Sequence, residues 1–193
     1  MDDPLPFGDR AAWRAWLAAN HASSDGVWIK FAKKASGIPT VVYAEAVEEA
    51  LIHGWIDGQA KRVDDDFYMQ RFTPRRAQSR WSKINRAKAE KLIAEGRMAP
   101  AGLAEVERAR ADGRWDRAYD SPTTATVPDD LRAALDAEPA AAERFEALDG
   151  NNRYAILHRI QDAKRAETRA RRIAQFVAML ARGETLYPPR RAR

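Results

Sequence analysis

The segment Gly54-Trp55-Ile56-Asp57-Gly58, with Arg71-Phe72-Thr73-Pro74-Arg75-Arg76 and Ser79-Arg80-Trp81-Ser82-Lys83-Ile84-Asn85 soon after it, combines residues that neither an apolar core nor a solvated face selects together. Tryptophan rings stack on flat or cationic groups, and arginine forks onto carboxylates and phosphates. Hydroxyls and an amide supply orienting hydrogen bonds. The chemistry implied is recognition of a small, flat anion, and the candidate ligand-binding set is Trp55, Asp57, Arg71, Arg75, Arg76, Ser79, Trp81 and Asn85. In that reading tryptophan stacks, arginine neutralises, and Asp57 orients an arginine or a donor on the ligand. The free N–H groups of a helix start near Ser79 and Ser82 would add to an anion cradle. Trp81 and Asn85, four apart, would share a helix face. The same residues also have a structural reading, with Trp55 and Trp81 as core, Asp57 as a turn cap, and the arginines as a solvated basic loop. Asp57 could act as a base, but no activating partner is visible beside it, so the sequence favours a binding protein over an enzyme.

These residues need elements to hold them. Asp9 caps a predicted helix over 10–20, in which Trp13, Trp16 and Leu17 recur at helical spacing with Phe7 as an outside staple. Val27, Ile29 and Phe31 alternate with Trp28 and Lys30 as in a strand with one buried face. A helix is predicted from Val41 to His53, with Tyr43, Val47, Ala50 and Leu51 inward, Glu45, Glu48 and Glu49 outward, and Gly54 as its stop. Strands are predicted at 60–63 and 67–73 across the acidic turn Asp64-Asp65-Asp66, so that Trp55–Gly58 becomes a tight connection before the first of them. Ser79 or Ser82 caps a helix ending at Gly96, and Pro100 opens another that ends before Gly113. Beyond a loop at 114–127 the pattern is helical throughout: helices begin at Pro128 and Pro139, and 151–182 forms a helical hairpin broken near 164–168. The tail from Gly183 is expected to fray. The fold class predicted is α+β: a small antiparallel sheet flanked by helices over 1–113, then a helical C-terminal region over 128–193 with a basic tail, helix exceeding strand.

Composition narrows the chemistry. Cysteine is absent, which removes disulfides, thiol nucleophiles and thiolate zinc sites. His21, His53 and His158 are far apart in sequence and none has a second ligand at metal spacing, so no metal is predicted. No serine sits in a nucleophile elbow, and neither a dinucleotide fingerprint nor a P-loop is present; no cofactor is predicted. The acidic opening lacks a basic n-region and an apolar run, so no signal peptide is expected, nor a membrane span, and a cytoplasmic location follows as the default. The net charge of +5 is unevenly placed. Residues 59–97 and 153–193 each carry 11 basic groups, against 5 and 3 acidic ones, so the positive field lies in two blocks. In the second, Lys164, Arg165, Arg169, Arg171 and Arg172 accompany Asp162 and Glu167, and intrahelical pairs would account for part of it.

Taken together, the pieces Gly26-Val-Trp-Ile with Lys33-Lys34, Ala50-Leu51 leading to Gly54–Gly58, Arg71–Arg76, Ser79–Asn85, Gly96-Arg-Met98, Gly113-Arg-Trp115 and Ala163–Arg169 make the chain resemble the YdeI/OmpD-associated proteins, also called bacteriocin-protection proteins. The resemblance runs from Trp13 to the last helix. It implies a role in surviving antimicrobial peptides or bacteriocins, and it implies neither a reaction nor catalytic residues. Because a basic protein repels cationic peptides, protection would be indirect and cytoplasmic. Three functions follow. The first is a stress-protection protein binding a small anionic ligand through the Trp/Arg/Asp set. The second is a nucleic-acid-binding protein that uses both basic blocks with Trp81 and Trp28 as stacking platforms. The third is a scaffold whose C-terminal helices meet a protein partner.

Overall fold

Asp9 stops an extended N-terminal segment, and its carboxylate accepts from the Ala12 amide at 2.8 Å, so helix α1 (Arg10–Asn20) begins where the sequence places it. The computed structural model describes residues 3–188. Before α1, a two-residue strand β1 (Leu5–Pro6), too short for any sequence pattern, pairs in parallel with β2 (Val27–Ala32). A single 3-10 turn at Lys34–Ser36 leads to α2 (Tyr43–Ile52). Then come β3 (Trp55–Arg62), β4 (Phe67–Pro74), α3 (Lys83–Ala94) and α4 (Pro100–Ala111). The sheet order is β1-β2-β4-β3, and helix exceeds strand, as expected of an α+β chain.

Alternation along the strands decides what the sheet buries. Val27, Ile29 and Phe31 of β2 stand opposite Phe72, Gln70 and Tyr68 of β4, and this face meets Trp13 and Leu17 of α1 and Val47, Ala50 and Leu51 of α2 in one apolar core. Phe7 tilts against Trp13 at 5.1 Å between ring centres, as the predicted staple requires. The Trp13 indole N–H donates to the Ala46 carbonyl at 3.1 Å and fastens α1 to α2.

Three expectations change. Trp55–Gly58 is the first half of strand β3, paired with Phe72–Pro74, and not a connection ahead of it. A register shift between Asp57 and Ala60 then introduces a bulge. Tyr43 is not core; it is 40% exposed at the start of α2. Glu49, placed on the outward side by periodicity, is fully buried: Arg10 donates to it at 2.6 Å, and Arg14 grips it through two nitrogens at 3.0 and 2.9 Å.

The chain divides into two compact units, one ending at Ala118 and the other opening at Tyr119. The second is helical, with α5 (Asp129–Asp136), α6 (Pro139–Glu146), α7 (Gly150–Gln161) and α8 (Ala166–Ala181) around Leu131, Leu135, Phe145, Ile156, Ile160 and Phe176. The hairpin breaks at 162–165, close to the charge cluster expected to break it. The tail is not loose at its beginning. The buried Asn152 amide accepts from the Tyr187 N–H at 2.9 Å and donates to the Tyr187 carbonyl at 3.2 Å, while residues 189–193 of the predicted frayed tail lie outside the described residues. Asn152→Ala should leave the Tyr187 N–H without its acceptor, while the Tyr187 carbonyl keeps the Thr185 hydroxyl; the change should cost the second unit about 1–3 kcal/mol and raise amide exchange at Tyr187. Unchanged exchange there would show that the clasp does not hold the tail.

Candidate functional site

Gly54, at φ +75, ends α2 and turns the chain directly into β3. Trp55 then points into the core at 1% exposure, its indole donating to the His21 carbonyl at 3.1 Å and its ring edge-on to Trp16. Asp57 follows on the same face, half-buried. Its Oδ2 accepts from the Tyr43 hydroxyl at 2.7 Å and from the Gln70 side-chain amide at 3.2 Å, and Gln70 also donates to the Gly58 carbonyl at 2.9 Å, bracing the bulge. Tyr43 and Gln70 carry no sequence signal for this role: the register of β3 on β4 brings Gln70 to Asp57, and Tyr43 reaches it from the start of α2.

Arg71 is elsewhere. Asp57 stands opposite Phe72, so the neighbouring Arg71 projects from the other face of the sheet, opposite Trp28 of β2. The eight predicted residues therefore do not surround one point.

A second group does gather past β4. The Arg75 amide donates to the Gly54 carbonyl at 3.0 Å, and its guanidinium, 5% exposed, lies 3.6 Å from the Trp81 ring centre and donates to the Arg80 carbonyl at 3.1 Å. Arg76 and Ser79 close a turn: the Arg76 N–H donates to Ser79 Oγ and the Ser79 N–H to the Arg76 carbonyl. Ser82, and not Ser79, caps α3, accepting from the Asn85 amide at 3.1 Å. Trp81 thus precedes the helix, and the i,i+4 spacing that would join it to Asn85 on one helix face does not apply.

From the other side come two residues outside the predicted set. Arg114 donates to the Ser79 carbonyl at 2.6 Å, and Trp115 meets Trp81 edge to face at 4.8 Å. Arg86 and Arg110 lie 5.9 and 5.2 Å from the Trp115 ring centre. Two stacked-off tryptophans are therefore ringed by guanidinium groups, with Asp112 held by Arg114 and Glu90 by Arg86 as the acids that offset part of the charge. The Asp112 carboxyl lies below its ordinary range, chiefly because Arg114 hydrogen-bonds its charged form. Within this cluster Trp81 Nε1 and Arg114 Nη2 are buried donors without an acceptor among the described residues. Gly113-Arg-Trp115 was the sequence signal for this half of the cluster, visible as a motif without a location.

His21 and His53, distant in sequence, bring their rings to 4.8 Å. Burial lowers the His53 pKa, as does the His21 charge, while Glu49 pulls it upward. No three His, Cys, Asp or Glu side chains cluster as metal ligands among the described residues. The second basic block is largely used inside its own unit. Arg169 forks onto Asp130, donating also to the Ile160 carbonyl, and Arg172 reaches the Arg159 carbonyl and Asp162. Intrahelical pairs were expected to account for part of this block; Arg169 instead bridges to Asp130 of α5.

The fold is that of a two-unit α+β protein with a tryptophan–arginine cluster past its sheet. Residues 5–105, more than half the chain, match a family model described as a domain of unknown function (DUF8412), and residues 124–183 match one described as bacteriocin-protection, YdeI or OmpD-associated. The chain belongs to the DUF8412 family, and its second unit carries the YdeI/OmpD-associated match that the sequence resemblance implied. No curated protein and no solved structure matches it. No helix among the described residues is long and apolar enough to cross a membrane.

Proposed function

We propose that this protein binds a small anion at the Trp81/Trp115 cluster, through Trp81, Arg114, Arg76 and Ser79, with Arg75 holding Trp81 in place. The observation that supports it is the pair of buried donors, Trp81 Nε1 and Arg114 Nη2, which have no acceptor among the described residues and lie in a cluster of guanidinium groups. A buried N–H lacking a partner costs about 1–3 kcal/mol, and sites of this kind are where an oxygen from outside the chain is stabilising. Net positive charge favours a carboxylate or phosphate oxygen over a neutral carbonyl. Trp55 supports the loop from the core beneath Gly54, whereas Asp57 and Arg71 act elsewhere on the sheet. In this reading, bacteriocin or stress protection arises in the cytoplasm from binding that anion; a chain of net charge +5 repels cationic peptides.

Thermal unfolding against inorganic phosphate, nucleoside monophosphates, sugar phosphates and dicarboxylates tests the reading. One anion at a hundred times its Kd should stabilise by about 2.7 kcal/mol. Trp81→Phe keeps the ring and removes the N–H, and Arg76→Ala removes an exposed cation; each should fold and lose the response. If no anion raises the midpoint, or both variants respond like the parent chain, the assignment is wrong.

A further inference from the structure

The sheet has a second face. Trp28 and Lys30 of β2, Phe67, Met69 and Arg71 of β4, and Lys61 of β3 all project away from the core, by the alternation that points Ile29, Gln70 and Phe72 into it. Trp28, Phe67 and Met69 join neither apolar cluster of the protein. Trp28 is nevertheless only 8% exposed, and part of its cover is a lysine: Lys61 Nζ lies 4.8 Å from its ring centre. Lys30 Nζ lies 4.0 Å from the ring centre of Phe67 in the same way. Lys30, Met69 and Lys61 are cross-strand neighbours in one row, and Arg71 stands opposite Trp28. Among the described strand residues projecting from this face none is acidic; the acidic turn Asp64–Asp66 lies at its end.

An aromatic ring buried under a lysine differs from one buried in a core. The stem of a lysine is flexible and its ammonium is mobile, so the cover can leave when a stronger partner for both groups arrives. The partner that satisfies both must offer planar rings to Trp28 and Phe67 and negative charges to Lys30, Lys61 and Arg71. An acidic peptide supplies charge, but it pairs a ring with each charge only where its sequence happens to alternate the two. A duplex supplies phosphates while its bases stay stacked within the helix. A single strand has unstacked bases and a phosphate at every step, which suits a cationic face bearing aromatic platforms.

We propose that this face of the sheet binds single-stranded nucleic acid, with bases stacking on Trp28 and Phe67 as Lys61 and Lys30 swing from the rings to phosphates. The surface lies on the side of the sheet opposite the Asp57 carboxylate, uses none of the residues assigned to the small-anion site, and stands or falls independently of it.

The test is binding of the full chain to a fluorescein-labelled oligothymidylate, an RNA of equal length, the corresponding duplex, and vesicles containing phosphatidylglycerol, across a salt series. Three phosphate contacts predict a slope of log K against log salt near about −2 for the single strand. Lys30→Gln with Lys61→Gln should reduce that slope to about −0.7, the value for one remaining contact. Trp28→Ala should weaken single-strand binding about tenfold or more, while Trp28→Phe, which retains a stacking ring and guards against misfolding, should retain most of it. Arg76→Ala should leave it unchanged, which separates this surface from the small-anion site. Equal binding to duplex, binding to vesicles alone, binding insensitive to Trp28 and the two lysines, or no binding at low salt would each overturn the proposal.

Discussion

Replacing Arg10 and Arg14 together by alanine is expected to destabilise the first unit by about 3–5 kcal/mol, the range seen when a buried ion loses its partners. Glu49 is the reason. It has no solvent exposure, and the two guanidinium groups that satisfy it come from α1, one turn apart, with Arg97 a further 3.9 Å away. The arginines themselves are partly exposed, so each can be hydrated; Glu49 cannot. Removing these two cations leaves the buried carboxylate with Arg97 alone, at 3.9 Å, whereas a third change, Glu49→Leu in the same background, should recover most of the loss by replacing the charge with apolar packing. All six tryptophans precede Ala118, so tryptophan emission in a urea titration reports this unit. A cost below about 1 kcal/mol for the double change would mean that the network behaves as a solvated surface pair.

The same residue makes that loss depend on pH. Burial alone would raise the Glu49 pKa, but hydrogen bonds and charge from Arg14 and Arg10 outweigh it, and the carboxyl lies below its ordinary value. A folded pKa below the unfolded one contributes stability above the unfolded value, about 4.3, and that stability is lost as pH falls through the folded value. Without the two arginines only the burial effect and Arg97, 3.9 Å away, remain, and burial favours the neutral carboxyl. Protonation then relieves the buried charge, so the stability gap between the double variant and the parent chain should narrow as pH falls from about 7 toward about 3. A gap that stays constant over that range would show that the ionisation of Glu49 does not carry the loss.

What the sequence discloses follows from how local each feature is. Helix α1 and the hairpin of α7 and α8 were readable because caps and 3.6-residue spacing are properties of neighbouring residues, and Asp9 and Asp149 do their capping within a single turn. The start of β3 was not, since Trp-Ile-Asp-Gly is a poor strand pattern whose extended form comes from pairing with Phe72–Pro74. Glu49 was misplaced for a related reason: its helix face looks polar, and only the long reach of arginines on α1 makes burial tolerable. The candidate site was half legible. Arg75, Arg76, Ser79 and Trp81 lie close in sequence and remain close in space, while Arg114 and Trp115 arrive from a loop beyond α4. Arg71 and Asp57 were grouped by composition, and strand alternation puts them on opposite faces once the register is fixed.

The Gly54 motif, the most conspicuous stretch of the sequence, has a packing origin that can be tested at a distance from it. A Cβ at Gly54 would come within 2.9 Å of the Ala101 carbonyl, and one at Gly102 would overlap the Ile52 carbonyl and come within 2.8 Å of the Leu51 carbonyl and 2.7 Å of Met98 Cε. The end of α2 and the first turn of α4 therefore touch backbone to backbone, and the Ala99 amide donates to the Ile52 carbonyl at 3.1 Å. Gly102→Ala should cost more than about 3 kcal/mol. Overpacking ordinarily costs about 1–3 kcal/mol when side chains can yield, and here the obstructing atoms are carbonyls fixed in a helix end. The gain in helix propensity, about 1 kcal/mol, is too small to compensate. Gly96→Ala is the control: at φ +66 with no atom within 4 Å of the added carbon, it should cost only the left-handed penalty of about 1–2 kcal/mol. Because Gly54 also carries the carbonyl that receives the Arg75 amide, separating α2 from α4 should loosen Arg75 over Trp81 as well. Gly102→Ala should therefore weaken any anion response measured at that loop, while Gly96→Ala should preserve it. Equal costs for the two substitutions would show that α2 and α4 can move apart freely, and that the glycine motif is not there for their close approach.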